Sequence, residues 1–249
     1  MKDIIEIFIR DPGLAYHISS KIPFPYRFEL EGRGSPGFKR RGDYQGIIEL
    51  DKPDKELLKM PLSEALLKRR SIRRYRSKSI DFKVFSTFIY FVAAVQGYKY
   101  GYPLRTYPTA GALNSPEVFI HIDNVELIDK GIYHYNPFSH SLELIRSGDF
   151  KYEVYKASLE QSQVLESAFN ILVVGVYDRT YSKYGLRAYR YVLEDVGHIG
   201  QNIYLVATAL NLATVCMGAF IDDELSTIFQ LNDGEFPLLL YSVGYPVSP

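Results

Sequence analysis

Lys183 and Tyr184 stand side by side in Arg179-Thr-Tyr-Ser-Lys-Tyr-Gly-Leu-Arg187. On a wet surface loop such a pair is commonplace. In a dry pocket both groups move protons, provided burial and neighbouring charge bring them toward the working pH. A second candidate is Lys68-Arg-Arg-Ser-Ile-Arg-Arg-Tyr-Arg-Ser-Lys78, seven cations in eleven residues with no acid. Three readings compete for it: a nucleic-acid contact, a solvated charged face, and a phosphate site for a small ligand. Arg69, Arg70 and Arg73 bracket Ser71. Guanidinium forks match phosphate oxygens in pairs, and a serine hydroxyl adds a short donor. No second block of this density exists, which favours one phosphate over a polymer track. The third candidate, Pro108-Thr-Ala-Gly-Ala-Leu-Asn-Ser-Pro116, is either an ordinary turn or a backbone surface that a flat ring can approach closely.

Other motifs carry less. Glu194 and His198 share a helix face, as metal ligands can. No third ligand stands at suitable spacing, so no metal site is expected, and Glu194, His198, Gln201 and Asn202 read as a helix-packing polar network. Gly32-Arg-Gly-Ser-Pro-Gly37 matches G-x-G-x-x-G but lacks a preceding strand and a following helix, and it contains Pro36; it reads as a loop. No G-x-S-x-G or Ser/His/Asp hydrolase signature is present.

The elements that must position these residues follow from apolar spacing. Leu62, Ala65 and Leu66 form the apolar face of a short helix that runs into the basic cluster. Asp81 is an N-cap for a helix carrying Val84, Phe85, Phe88, Val92 and Val95, with Gly97 as its stop. Residues 117–122 read as a strand. Residues 131–135 and 142–146 read as a hairpin around Asn136-Pro-Phe-Ser139. A helix is expected over 151–167. Residues 170–177 are dense enough in Val, Ile and Leu to be a central strand, with Lys183 and Tyr184 on a loop just after it. Val192, Val196, Ile199, Ile203, Val206 and Leu210 mark a helix over about 188–211. It is apolar on more than one face, so it lies in a large core or a subunit interface. Strands over 214–217 and 237–243 close the chain. Helices and strands mix without regular alternation, which predicts an α+β domain over 61–249, with residues 1–60 as an extension wrapped around it.

The 249 residues carry 29 basic and 29 acidic side chains, so the chain is not built as a polyanion neutraliser. The balance conceals a local excess: residues 61–110 hold ten basic residues against two acidic ones. One cysteine excludes an intramolecular disulfide and suits a cytoplasmic protein. No apolar run reaches the ~20 residues needed to span a bilayer, so neither membrane nor nucleic acid is an expected partner.

Taken together and in order, these segments resemble the nitroreductase-like FMN flavoenzyme superfamily, and within it the SagB-type dehydrogenases. That branch includes flavin enzymes that oxidise azolines to azoles on ribosomal peptides. The resemblance runs from Tyr16-His17 and Ser20 through Met60-Pro-Leu-Ser-Glu-Ala-Leu66, Arg69-Arg-Ser-Ile-Arg73 and Arg105-Thr-Tyr-Pro-Thr-Ala-Gly-Ala112. It continues through Gly131-Ile-Tyr-His-Tyr135, Lys183-Tyr-Gly-Leu-Arg-Ala-Tyr-Arg190, Glu194 with Gly197-His-Ile-Gly-Gln-Asn202, and Val243-Gly-Tyr-Pro246. It implies a nitroreductase-like fold: a mixed, mostly antiparallel sheet flanked by helices. It also implies an intertwined homodimer with FMN at the subunit interface. Arg69, Arg70, Ser71 and Arg73 would hold the phosphate and ribityl end. Pro108, Thr109, Ala110 and Gly111 would lie against the flavin from the partner subunit, with Asn114 as in the plainer nitroreductases. Met217, Gly218 and Ala219 would offer backbone N–H groups to the reactive edge. Lys183 and Tyr184 would be the proton-abstracting pair, and NAD(P)H or oxygen the redox partner. The branch's usual Ser is Thr109 here, its Tyr-Pro is Asn114-Ser115, and no Lys or Arg follows Arg190. Two alternatives remain at this point: a generic NAD(P)H-dependent nitroreductase or flavin reductase, and a non-catalytic flavin-binding partner of a peptide-modifying complex.

Overall fold

The computed structural model describes residues 10–22 and 44–247. The G-x-G-x-x-G match and the basic Lys39-Arg-Arg41 lie outside them. The strands are β1 (Gly46–Glu49), β2 (Tyr75–Arg76), β3 (Val95–Lys99), β4 (Tyr102–Arg105), β5 (Pro116–Ile122) and β6 (Gly131–Asn136). They continue as β7 (Ser141–Ser147), β8 (Phe169–Val176), β9 (Ala213–Met217) and β10 (Glu235–Pro246). The main sheet runs β1-β7-β6-β5-β8-β10-β2, with β9 also paired to β10, while β3 and β4 form a separate ribbon. All these pairings are antiparallel. Parallel contacts are isolated bridges, such as Ser71 with Thr214.

β8 is central because both its faces are apolar. Phe169, Ile171 and Val173 join the core on one side of the sheet, and Leu172 and Val174 the core on the other. The first core is closed by the helix Phe82–Ala93 and by the long helix Ala188–Ala209, through Phe85, Phe88, Val196, Ile199 and Ile203. The second is closed by Lys151–Ala157, Gln163–Glu166 and Asp222–Ile228, through Val154, Val164 and Leu225. Helices therefore cover both faces of the sheet. None among the described residues is long and apolar enough to cross a membrane.

Four expectations need correction. The helix capped by Asp81, whose carboxylate accepts from the Val84 N–H at 3.0 Å, ends at Ala93 rather than Gly97. The Thr106 hydroxyl donates to Val92 O, and Ala94 O accepts from the Thr106 N–H, so Val95 and Gly97 leave the helix and enter β3. Residues 151–167 form two short helices, because Leu159 and Glu160 take positive φ (56° and 57°). Of the apolar face on Leu62–Lys68, only Ala65 is buried; Leu62 and Leu66 are 65% and 50% exposed. The last strand begins two residues before the expected 237 and continues to Pro246.

Phe169 packs edge-on against Phe85 and Phe88, with ring centroids 5.1 and 5.5 Å away, and all three are fully buried. Phe169→Ala should cost about 4 kcal/mol in urea unfolding; a loss below about 1 kcal/mol would contradict this packing.

Candidate active site

Lys183 and Tyr184 lie on a helix, Tyr177–Tyr184, and not on a loop. The chain leaves β8 and turns directly into this helix, since no Gly or Pro interrupts it before Gly185. The pair meets the small-residue loop. A Cβ on Gly111 would lie 2.6 Å from the Tyr184 hydroxyl and 2.9 Å from Lys183 Nζ. A side chain there would push the tips of Lys183 and Tyr184 away, and its φ of +60° favours glycine. Ala112 and Asn114 also sit at positive φ (58° and 53°). Left-handed backbone costs a non-glycine residue of order 1 kcal/mol, and such strain concentrates at functional sites. The loop is thus held in an unfavourable shape directly beneath an amine and a phenol.

Asp195 holds that shape. It is 2% exposed, accepts the Ala110 N–H at 2.9 Å through Oδ1, and accepts the Ser115 hydroxyl at 2.9 Å through Oδ2. Burial pushes its carboxyl up to about 6, against the two hydrogen bonds that favour the ionised form. Sequence reasoning passed over Asp195 in favour of Glu194 and His198, which are exposed. The available signal was an acid inside the apolar stripe Val192, Val196, Ile199. Of the residues expected to pack the long helix, Asn202 does so, donating to Thr106 O at 3.1 Å.

A buried ionic chain fixes the Lys-Tyr helix from below. His134 stands between Glu143, 3.0 Å from Nδ1, and Glu117, 3.0 Å from Nε2. The other Glu117 oxygen meets the Arg179 guanidinium at 2.5 Å, which also donates to Asn114 O at 2.7 Å. Burial alone would raise the Glu117 carboxyl; Arg179 first, then His134, overrides it and holds it at about 2. Burial alone would lower His134, but hydrogen bonds to the two glutamates raise it. Arg179 sits one helical turn before Lys183, so this chain ties the Lys-Tyr helix to the start of β5 and to the loop at once.

The basic cluster divides. Arg74 pairs with Glu166 and Arg76 donates to Val247 O, so both serve the sheet. Arg70 donates to Leu67 O and Arg69 O at the helix end, Arg73 reaches Ser71 O at 3.5 Å, and Arg69 lies over the Tyr204 ring. Among the described residues, Arg69, Arg70 and Arg73 have no carboxylate partner. Tyr204, on the long helix, is a further residue that the sequence did not single out. Its hydroxyl meets Ser71 Oγ at 2.9 Å and accepts the Cys216 N–H at 2.9 Å. It joins the basic arm to β9, which ends at buried Met217 and continues into exposed Gly218 and Ala219. Arg69, Ser71 and Cys216 thus gather around Tyr204, while the Met217 side chain belongs to the core on the other face of the sheet. Asp195 holds the Thr109–Asn114 loop, and Gly111 of that loop meets Lys183 and Tyr184. The two clusters sit nine residues apart on the long helix, about 14 Å.

A sheet so ordered, with the long helix against its centre, defines a class. The nitroreductase family model matches residues 66–245, and the chain belongs to that family of oxidoreductases. It is 36% identical over 201 residues to a Methanocaldococcus jannaschii protein named as nitroreductase MJ1384, spanning 81% of this chain and 98% of that one. It is 29% identical over 146 residues to the microcin B17-processing protein McbC of Escherichia coli, spanning 56% of this chain and 54% of McbC. Its fold matches a chain of the E. coli microcin synthetase McbBCD complex with truncated pro-MccB17 bound. There the TM-score is 0.63 at 18% identity, covering 98% of this chain and 93% of that one.

Removing the Asp195 side chain strands the Ala110 N–H and the Ser115 hydroxyl. Asp195→Ala should therefore cost about 2–3 kcal/mol in urea unfolding at pH 4. Asp195→Asn keeps an acceptor without a buried charge and should cost under about 1 kcal/mol. The folded carboxyl is raised above its unfolded value, so its contribution is complete below pH ~4 and is lost as pH climbs to about 6. The Asn variant should not show that loss, and identical pH profiles for wild type and Asp195→Asn would contradict the assignment.

Proposed function

We propose that this oxidoreductase is an FMN-dependent dehydrogenase of the SagB type, acting on an azoline-like ring in a small molecule or peptide. One observation carries the proposal: Lys183 Nζ and the Tyr184 hydroxyl converge on Gly111, both within 3 Å of where a Cβ would stand. The family relationship supports a flavin, and the likeness to a microcin-processing protein supports a peptide ring as substrate.

The residues present fit FMN. Asn114 Oδ1 and Thr214 Oγ1 are buried and lack partners among the described residues, one beside each cluster. Three arginines without carboxylate partners among the described residues suit a phosphate. Arg69, Arg70, Ser71 and Arg73 would hold the phosphate end; Pro108, Thr109, Ala110, Gly111 and Asn114 would carry the ring; Met217, Gly218 and Ala219 would line its reactive edge. When bound, FMN supplies a two-electron acceptor for the hydride. The chain's own part is the proton. Lys183 and Tyr184 take it from the ring carbon next to nitrogen, and the Gly111 loop sets how near that carbon comes.

The two clusters are distinct on one chain, and Leu62, Leu66, Leu67 and Leu193 are exposed around them. These facts support a homodimer in which the basic arm of one subunit meets the small-residue loop of the other. Residues 61–249 then form the catalytic domain and residues 1–60 its extension. A second reading, an NAD(P)H-dependent nitroreductase with an incidental Lys-Tyr pair, is favoured by the 36% identity to MJ1384.

On a thiazoline-containing peptide, Lys183→Ala and Tyr184→Phe should keep bound flavin and lose about 100-fold or more in kcat. Unchanged turnover in both, together with rapid flavin bleaching by NAD(P)H, would favour the second reading.

A further inference from the structure

The Tyr16-His17-x-x-Ser20 segment has no part in the chemistry above, yet it sits on the residues that follow Lys183 and Tyr184. It belongs to the helix Pro12–Ser19, which begins with Asp11 capping the Leu14 N–H at 2.9 Å and has Pro12 at its first position. The Tyr16 hydroxyl donates to Leu186 O at 2.8 Å and accepts the Arg190 N–H at 3.1 Å. Leu186 and Arg190 are four residues apart, the carbonyl and the N–H that a continuous helix would join directly. A hydroxyl from 170 residues away stands between them. Arg190 completes the contact. Its Nε donates to Ser20 Oγ at 2.8 Å and its guanidinium also reaches His17 O, while Arg187 donates to Ser20 O at 3.3 Å. The Tyr16 ring meets Tyr189 edge-on at 5.6 Å.

The place matters. Between Tyr184 and the long helix the chain reverses at Gly185, with φ 52° and ψ −140°, a backbone shape open to glycine alone. One turn of 3₁₀ helix, Gly185–Arg187, then leads into the long helix, whose N-cap residue, Arg187, makes no capping hydrogen bond with its own side chain. Orphan N–H groups at such an end need partners, and for Arg190 that partner is Tyr16. The elbow sets where Tyr184 points, since the Tyr184 ring packs edge-on against Tyr191 at 4.8 Å, one residue beyond the clamped Arg190.

We propose that the helix Pro12–Ser19 clamps this elbow, and that Tyr16 and Ser20 are positioning residues that hold Lys183 and Tyr184 against the Gly111 loop. The proton-transfer part of this rests on the role given to Lys183 and Tyr184 above; the clamp does not.

Tyr16→Phe in the full chain keeps the ring and removes the hydroxyl alone. Amide hydrogen exchange in peptides spanning 183–191 should quicken by up to about tenfold, the scale of one net hydrogen bond, while 169–176 stays unchanged. Acetylation of Lys183 by an N-hydroxysuccinimide ester, read by mass spectrometry against Lys156, should rise several-fold. Ser20→Ala should move both readouts the same way. With a thiazoline-containing peptide, kcat should fall while KM stays within about twofold, because the substrate's contacts are not touched. Unchanged exchange and labelling in both variants would overturn the clamp. Altered exchange and labelling alongside wild-type turnover by Lys183→Ala would uphold the clamp and overturn the catalytic role of the pair.

Discussion

Two carboxylates and two cations lie in line inside the molecule: Glu143, His134, Glu117 and Arg179, none more than 8% exposed. Removing one member of such a chain would leave an uncompensated buried charge, a cost of about 3–5 kcal/mol. That penalty is what makes the geometry of the site obligatory. Arg179 is satisfied only when the Lys-Tyr helix lies over the start of β5 and Asn114 O faces it. Glu117 is satisfied only when β5 and β6 are in register, since His134 comes from the neighbouring strand. The sheet, the loop and the helix are therefore not separately adjustable.

The same constraint shows what the site can tolerate. The loop carries three left-handed residues within four positions, Gly111, Ala112 and Asn114. Its strain is opposed from two sides, by Asp195 on the long helix and by Arg179 on the Lys-Tyr helix. A site pinned from opposite directions is preorganised, and preorganisation is what proton transfer between fixed groups requires.

Much of this architecture could be read from the residues. β8 announced itself by composition, because a central strand buried on both faces is apolar without alternation. The Asp81 cap and the long helix followed from local chemistry. The helix end at Ala93 did not, since a threonine thirteen residues further on, Thr106, draws Val95 into a ribbon. The Lys-Tyr pair was visible as a pair of residue types, but its placement on a helix depended on the uninterrupted run from Tyr177. Asp195 escaped because its function is tertiary: its partners are 85 and 80 residues away. The Leu62 and Leu66 face escaped for the opposite reason, since amphipathic spacing shows that a face wants cover and not whether the same chain provides it.

We propose that FMN is held between the basic arm of one subunit and the strained Gly111 loop of the other. This is tested most directly by the absorption spectrum of the purified protein, with mass analysis of the chromophore released on denaturation. The account predicts a flavin spectrum and FMN at about one per chain. Colourless protein that also fails to bind added FMN would contradict it.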